Sequence, residues 1–336
     1  MFAIFRKAYL AFLASLAALA LGTTAFAQDN VIQVADGVYA FDPGDEYNSM
    51  FIVTDEGVIV IEPVNSKHAA GMLEAIRSVT DQPVKFLLHS HNHWDHSNGG
   101  NVFREAGATI IAHEEAFAWM KGNPHPDLAL PDESWSGDKF EITLGGTTLE
   151  LHYFGMNHGL GMTVFLLPKE KVAYIADIVT PNRVLFAIVP DFNIKEWLRT
   201  LDEVAQLDFE QAVYSHSASG SPIGTKEDVT LTSAFITDMQ AAIGAEFQKG
   251  TGFTDIPGAV KLPKYEHWAG YDIWLPLNVY RVMLDMWMAP SRGAPTRPAH
   301  DDQHVALVFL PMPRNRPAWA GTFWSPFLVC LPAFPA

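Results

Sequence analysis

From residue 31 the chain alternates apolar and polar positions in short runs, 31–34, 37–41, 50–54 and 58–61, separated by turn-forming residues. A period of two predicts antiparallel strands, and Asp55-Glu56-Gly57 predicts the hairpin turn between the last two. The period then changes. Ala69, Met72, Leu73, Ile76 and Val79 share one face of a helix over 66–80, and the continuous apolar run 84–88 predicts a buried strand. Helices over 97–105 and 114–120 flank a short strand at 109–112. After a Pro-containing loop at 123–132, a second β-rich section covers 140–154, 162–167 and 172–176. An amphipathic helix over 193–207 and a strand at 211–214 follow it. The pattern predicts an α/β protein with two sheets.

Thr225 with Asp228 three positions on predicts a capped helix start, and residues 226–288 predict a helical appendage broken by Pro and Gly at 255–263. Its aromatic group Tyr265, Trp268, Tyr271 and Trp274 is assigned to packing. A last helix over 277–288 places Val279, Val282, Met283 and Met286 on one side. Residues 289–336 hold nine of the chain's 22 prolines without helical or alternating period, which predicts a poorly ordered tail. At the other end, Arg6 and Lys7 precede an apolar run over 8–21 and then Ala25-Phe26-Ala27. This predicts a signal peptide cleaved after Ala27, a periplasmic or secreted product, and no stable membrane association once it is removed. The expected division is therefore 1–27, a catalytic unit 28–225, the appendage 226–288 and the tail 289–336.

Composition narrows the function. Lys and Arg number 22 against 38 Asp and Glu, a net charge of −16 over 336 residues, which excludes phosphate-tracking nucleic-acid binding and leaves a small molecule as the expected partner. The oligomeric state is not set by the sequence. A single cysteine, Cys330, rules out a cysteine-built metal site, so any metal is held by His, Asp or Glu.

Such residues cluster directly after the 84–88 strand, in His89-Ser90-His91-Asn92-His93-Trp94-Asp95-His96. Imidazoles at 91 and 93 leave a strand end on the same side, while Asp95 and His96 start the next turn and point back from another direction, which suits two adjacent cations. His158 lies between two predicted strands, Asp177 ends the strand 172–176, and His216 follows the strand 211–214. All three occupy strand ends, where function is carried on a rigid scaffold.

The run His91, His93, Asp95, His96, followed by Gly99-Gly100 and then by His158, Asp177 and His216 in that order, resembles the metallo-β-lactamase superfamily of metal-dependent hydrolases. The resemblance covers about 31–225, with Glu62 where relatives usually have Asp. It implies a four-layer αββα sandwich, to which the appendage is added. It implies that His91, His93 and His158 hold a first metal, that Asp95, His96 and His216 hold a second, and that Asp177 bridges them. Two zinc ions are the expected cofactors, with Mn or Fe also compatible. A hydroxide bridging them would attack a carbonyl, with Asp95 as catalytic proton shuttle.

Departures from the family bear on substrate. Ala176 replaces the usual Gly before the bridging aspartate, and Met156-Asn157-His158-Gly159-Leu160-Gly161 replaces a Pro-Gly-His-Thr-Pro-Gly pattern. Asp177 and Thr180 stand where the plasmid-type β-lactamases have cysteine and lysine, and the Gly-Cys-Gly signature of glyoxalase II is missing from 178–186. The expected substrate is an uncharged lactone or ester, ahead of a thioester or β-lactam. Phosphate or sulfate ester hydrolysis at the same site is the alternative. Mononuclear iron oxygenation, or metal binding without turnover, is a further one. Phe117, Trp119, Trp135 and Phe186 are candidates for an apolar pocket wall, and Arg183 is a further pocket candidate.

Overall fold

The computed structural model describes residues 30–288 and the two-residue strand Ala306–Leu307. The expected signal peptide lies outside the described residues, as does the expected tail apart from that strand. Strands β1 (Val31–Ala35), β2 (Val38–Phe41), β3 (Ser49–Thr54) and β4 (Gly57–Ile61) form an antiparallel meander. Strands β5 (Val84–Leu88), β6 (Thr109–His113) and β7 (Glu133–Trp135) then add in parallel, giving a seven-stranded sheet in sequence order. The second sheet holds β8 (Lys139–Leu144), β9 (Thr147–Tyr153), β10 (Thr163–Leu167), β11 (Val172–Ile175), β12 (Gln211–Tyr214) and β13 (Ile223–Gly224). Ala306–Leu307 (β14) pairs in parallel with β8 at its edge.

The apolar runs are explained by burial on both faces. Ile59 and Ile61 join Leu149 and Leu151 in the core between the sheets. Val58 and Val60 point the other way, into a separate core with Met72 and Ile76 of helix α1 (Ser66–Val79). A strand sandwiched in this way has no solvent face on which to place polar residues, and each such side chain contributes about 1.5–3 kcal/mol by burial. Helix α1 starts at Asn65, whose side chain accepts from the amides of Lys67 and His68. Further helices complete the outer layers: α2 (Trp94–Ser97), α3 (Gly100–Glu105), α4 (Glu114–Gly122) and α5 (Ile194–Val204). The layers are those of the αββα sandwich.

The appendage is α6 (Lys226–Lys249), α7 (Ile256–Ala259), a 3-10 turn Pro263–Tyr265 and α8 (Tyr271–Met288). Thr225 and Asp228 form the expected capping box, and Gly250 closes α6 in the left-handed region. Tyr265 and Trp268 pack on Phe235 at ring distances of 4.9 and 5.2 Å. Among the described residues no helix is long and apolar enough to cross a membrane.

Three expectations are corrected. The helix over 97–105 is two helices, because Gly99 at φ 81° turns the chain where a Cβ would lie 2.3 Å from the Asn65 carbonyl carbon. The last helix starts at Tyr271, with Pro276 inside its second turn, where the missing N–H costs one bond near a terminus already rich in unbonded amides. Trp135 lies in β7, a strand not expected from the sequence, and is 4% exposed, 4.6 Å from the His113 ring and stacked on Phe140. It belongs to the core. Trp135→Ala should therefore cost about 3–5 kcal/mol of stability in urea unfolding, and a loss under 1 kcal/mol would contradict this placement.

Candidate metal centre

Strands β4, β5 and β6 are parallel, as are β11 and β12, so each set ends together, and the two sets of ends meet at one edge of the sandwich. There the sheets are pinned to each other. The Asn48 amide donates to the Ser215 carbonyl at 2.8 Å, the Tyr174 hydroxyl oxygen lies 2.9 Å from the Asn48 carbonyl oxygen, and the Thr163 amide donates to the Ser90 carbonyl at 2.7 Å. His91, His93 and His96 emerge after β5, His158 between β9 and β10, Asp177 two residues past β11, and His216 two residues past β12.

These side chains converge in two groups that share Asp177. His91, His93, His158 and Asp177 form one, and His96, Asp177 and His216 the other. Asp177 divides its carboxylate between them. Its Oδ2 is 2.9 Å from His158 Nε2 and 3.7 Å from His91 Nε2, whereas Oδ1 is 3.2 Å from His96 Nε2 and 3.3 Å from His216 Nε2. Burial alone would raise the Asp177 carboxyl, but His96, His216 and His158 hold it well below the usual carboxylate range. His91 goes the other way, pushed well down by burial and by the neighbouring His96 and His93.

The outer ring nitrogens are occupied by partners that aim the inner ones. The Ser90 hydroxyl lies 2.8 Å from His91 Nδ1, and His216 Nδ1 donates to the Glu46 carbonyl at 2.7 Å. Glu62, fully buried at φ 71°, lies 3.0 Å from His96 Nδ1 and accepts from the hydroxyls of Ser90 and Tyr174. Asp191 serves two rings at once, with Oδ2 2.6 Å from His93 Nε2 and Oδ1 3.3 Å from His158 Nδ1. The second contact is close but not aligned as a hydrogen bond. Gly159 is needed here: at φ 57°, a Cβ would meet Asn92 Oδ1 at 2.8 Å and the His91 ring at 3.0 Å.

This donor set fits a metal. His91 Nε2 is buried with no hydrogen-bond partner, and His96 Nε2 faces His216 Nε2 at 3.4 Å. Ring nitrogens turned inward on a shared carboxylate form a cation cradle, with the nitrogen and oxygen donors that suit borderline divalent ions.

Asp95 stands at the rim rather than within either group. Its half-exposed carboxylate lies 3.5 Å from His96 Nε2 and accepts from the Tyr47 hydroxyl at 3.0 Å. Burial and Asp95 push the Tyr47 phenol up, so it stays protonated and keeps donating. His89 belongs to neither group. It is buried without a ring partner, and burial pushes it down to about 3.

A cavity of about 420 Å³ opens on the cluster, and Arg183 and Phe186 line it, as the sequence predicts. Phe117, Trp119 and Trp135 do not. Phe117 and Trp119 lie on α4, where Trp119 packs beside Trp94 at 5.7 Å, and Trp135 is in the core. The walls come instead from Tyr47, Leu185, Phe192, Trp197 and Trp268. Tyr47 and Asp191 were missed because each is a lone residue in a loop, with no spacing to mark it.

Two packed sheets between helices, with histidines and carboxylates gathered where strands end, define a metal-binding αββα sandwich. The profile of the metallo-beta-lactamase superfamily matches residues 42–216, just over half of the chain, and the chain belongs to that superfamily. It is 30% identical over 197 residues to 2,4-dinitroanisole O-demethylase subunit alpha of Nocardioides sp. (strain JS1661), covering 58% of this chain and 57% of that one. It is 22% identical over 207 residues to metallo-beta-lactamase type 2 of Bacteroides fragilis, covering 59% of this chain and 81% of that one. The chain thus spans just over half the length of the first of these relatives. Among solved structures, a metallo-beta-lactamase from Pontibacter korlensis superposes with a TM-score of 0.53 at 21% identity, covering 62% of this chain and 98% of that one. A double mutant of a sec-alkyl sulfatase reaches 0.59 at 16% identity, covering 78% of this chain and 51% of that one. Both show the shared fold.

Asp191→Asn should weaken divalent-metal affinity about 10- to 100-fold in chelator competition while leaving the circular dichroism spectrum unchanged, because the rings lose the carboxylate that orients them. Wild-type affinity in that variant would remove Asp191 from the site. His158→Ala and His216→Ala should each lower the metal content of dialysed protein.

Proposed function

We propose that this protein is an exported dinuclear zinc hydrolase acting on a carbonyl compound of the ester or lactone type, with residues 1–27 removed on export. The observation that carries the dinuclear reading is the division of the Asp177 carboxylate, one oxygen toward each histidine group. His91, His93 and His158 would hold one ion, His96 and His216 the other, with Asp177 shared and Asp95 at hand from the rim of the second group. When bound, the ions supply a water acidic enough to ionise near neutral pH and Lewis acidity for the scissile group.

The rest falls to the chain's own residues. Asp95, open to the cavity and hydrogen-bonded to Tyr47, is placed to accept a proton at Oδ2 from the attacking water and return it to the leaving group. The Tyr47 hydroxyl keeps that carboxylate turned toward His96. Glu62 holds His96 in the orientation that leaves Nε2 facing Asp177. Leu185, Phe192 and Trp268 give the same cavity apolar surface.

Relatives named for O-demethylation and for β-lactams, and a fold neighbour named for alkyl sulfates, show that this scaffold takes several scissile bonds, so the panel that tests the reading is broad. Zinc-loaded mature protein should hydrolyse a lactone or an aryl ester and bind two zinc ions per chain. A single iron per chain with no hydrolysis of lactone, ester, thioester, cephalosporin, phosphate ester or sulfate ester would overturn the proposal. Asp95→Asn should lower kcat about 10²- to 10⁴-fold with the first group's metal retained. Undiminished turnover would remove its role as proton shuttle.

A further inference from the structure

We infer that the stacked rings of Phe192 and Trp197 are a positioning element of the first ligand group, holding the His158 ring by its face and the backbone next to Asp177 by a hydrogen bond. The inference rests on the proposed dinuclear reading for the distinction between the two groups, but not for the bracing of His158 itself.

Four of the five imidazoles at the centre have a ring nitrogen in a hydrogen bond outside the cluster. His91 meets the Ser90 hydroxyl, His93 the Asp191 carboxylate, His96 the Glu62 carboxylate and His216 the Glu46 carbonyl. His158 is the exception. Its Nδ1 is buried with no hydrogen-bond partner, since Asp191 Oδ1 at 3.3 Å lies off line. The second side-chain torsion of a histidine has broad minima, so a ring without such a bond needs another restraint to keep its inner nitrogen on target.

That restraint lies on the face of the ring. Phe192 stacks on His158 with centroids 3.8 Å apart and planes 28° from parallel, and Trp197 stacks on the far side of Phe192 at 3.7 Å and 29°. Phe192 and Trp197 are 6% and 2% exposed, so turning His158 about its Cβ–Cγ bond would drive its edge into a ring that has no room to retreat. Trp197 also reaches the other side of the contact between His158 Nε2 and Asp177 Oδ2. Its indole N–H donates to the Ile178 carbonyl at 2.8 Å, one residue past Asp177.

Helix α5 supplies the backing because Trp197, Thr200, Leu201 and Val204 repeat at spacings of three and four and are buried together. The same end of the helix fixes the backbone of His158. The Asn193 amide donates to the Asn157 carbonyl at 2.9 Å, and Asn157 Nδ2 donates to Thr200 Oγ1 at 2.9 Å while its Oδ1 accepts from the His158 amide at 2.7 Å. His96 and His216, the imidazoles of the second group, are aimed from elsewhere, by Glu62 and by the loop carrying Glu46. Loss of the Phe192 ring should therefore reach one group and spare the other.

Both rings also line the cavity, so the test is metal binding measured without substrate. Metal-depleted wild type, Phe192→Leu, Phe192→Tyr and Trp197→Phe are titrated with cobalt(II), whose visible absorption reports its ligand geometry, and circular dichroism is recorded for each. His158→Ala and His216→Ala supply the reference spectra that assign an ion to each group. Phe192→Leu should weaken the first group's ion about 10- to 100-fold and leave the second's within about twofold, and Phe192→Tyr, which keeps a ring on His158, should restore most of the loss. Trp197→Phe keeps a ring behind Phe192 but removes the donor to Ile178, and should weaken both ions about 2- to 10-fold because Asp177 is shared. Wild-type affinities in Phe192→Leu, an equal loss on both ions, or a loss that Phe192→Tyr does not restore would overturn the inference. Wild-type affinities in Trp197→Phe would remove Trp197 from the brace. Uptake of a single cobalt per chain by wild type would end the dinuclear reading. In that event a loss in Phe192→Leu that Phe192→Tyr restores still supports the brace, and no loss overturns it.

Discussion

The Asp177 carboxylate is the constraint around which the site is built. Four imidazole nitrogens lie within 3.7 Å of its two oxygens, two on each. The backbone around it is fixed from two directions. Parallel pairing of β11 with β12 sets Ile175 beside Tyr214, and the Ser215 amide donates to the Ile175 carbonyl at 3.1 Å. Asp177 and His216 therefore leave the same edge in register, and β5 delivers the first three histidines across from them. Burial in this position favours the neutral acid, and the surrounding rings reverse that preference.

What keeps the rings facing inward is drawn from distant parts of the chain. Glu46 comes from the loop before β3, Glu62 from the end of β4, Ser90 from the loop after β5, and Asp191 from the loop before α5. Glu62 illustrates what this arrangement costs. A non-glycine residue at φ 71° is disfavoured by about 1–3 kcal/mol, and Val64 at φ 65° adds to the strain. Three side-chain contacts, to Ser90, His96 and Tyr174, over-determine that conformation, and in return the carboxylate occupies His96 Nδ1 so that Nε2 is left for the centre.

The convergence of the inner side chains was readable in the sequence because they are dense and stand at strand ends: alternation put His91 and His93 together, and apolar runs located the strands that deliver Asp177 and His216. The outer set was not, since Asp191 and Tyr47 are single polar residues in loops whose positions depend on contacts 48 and 98 residues away in the chain. Aromatic residues misled for a related reason. Trp135 sits in a short strand between a Pro-containing loop and Gly137, and composition does not distinguish a ring that lines a cavity from one that fills a core. Pro276 concealed the true start of α8 because a proline in the second turn of a helix reads, in sequence, as a helix boundary.

The appendage is more than an addition beside the site. Loop 183–192 carries Arg183, Phe186 and Asp191, and it holds Ala187 at φ 45° and Val189 at φ 48°, both unfavourable for residues with a Cβ. Such a loop needs external fixing. Asn278 of α8, fully buried, donates from Nδ2 to the carbonyls of Leu185 and Ala187 at 2.9 and 2.7 Å. Arg281 donates to the Phe192 carbonyl at 2.6 Å, and the Val184 amide donates to the Ala269 carbonyl at 3.1 Å. The helix that looks peripheral in the sequence thus sets the shape of the segment that sets Asp191 against His93 and His158 and carries Arg183 into the cavity wall. The placing of Asp191 beside the two rings and the shape of the cavity wall depend on the same helix contacts, and a substitution at Asn278 would reach both without touching either.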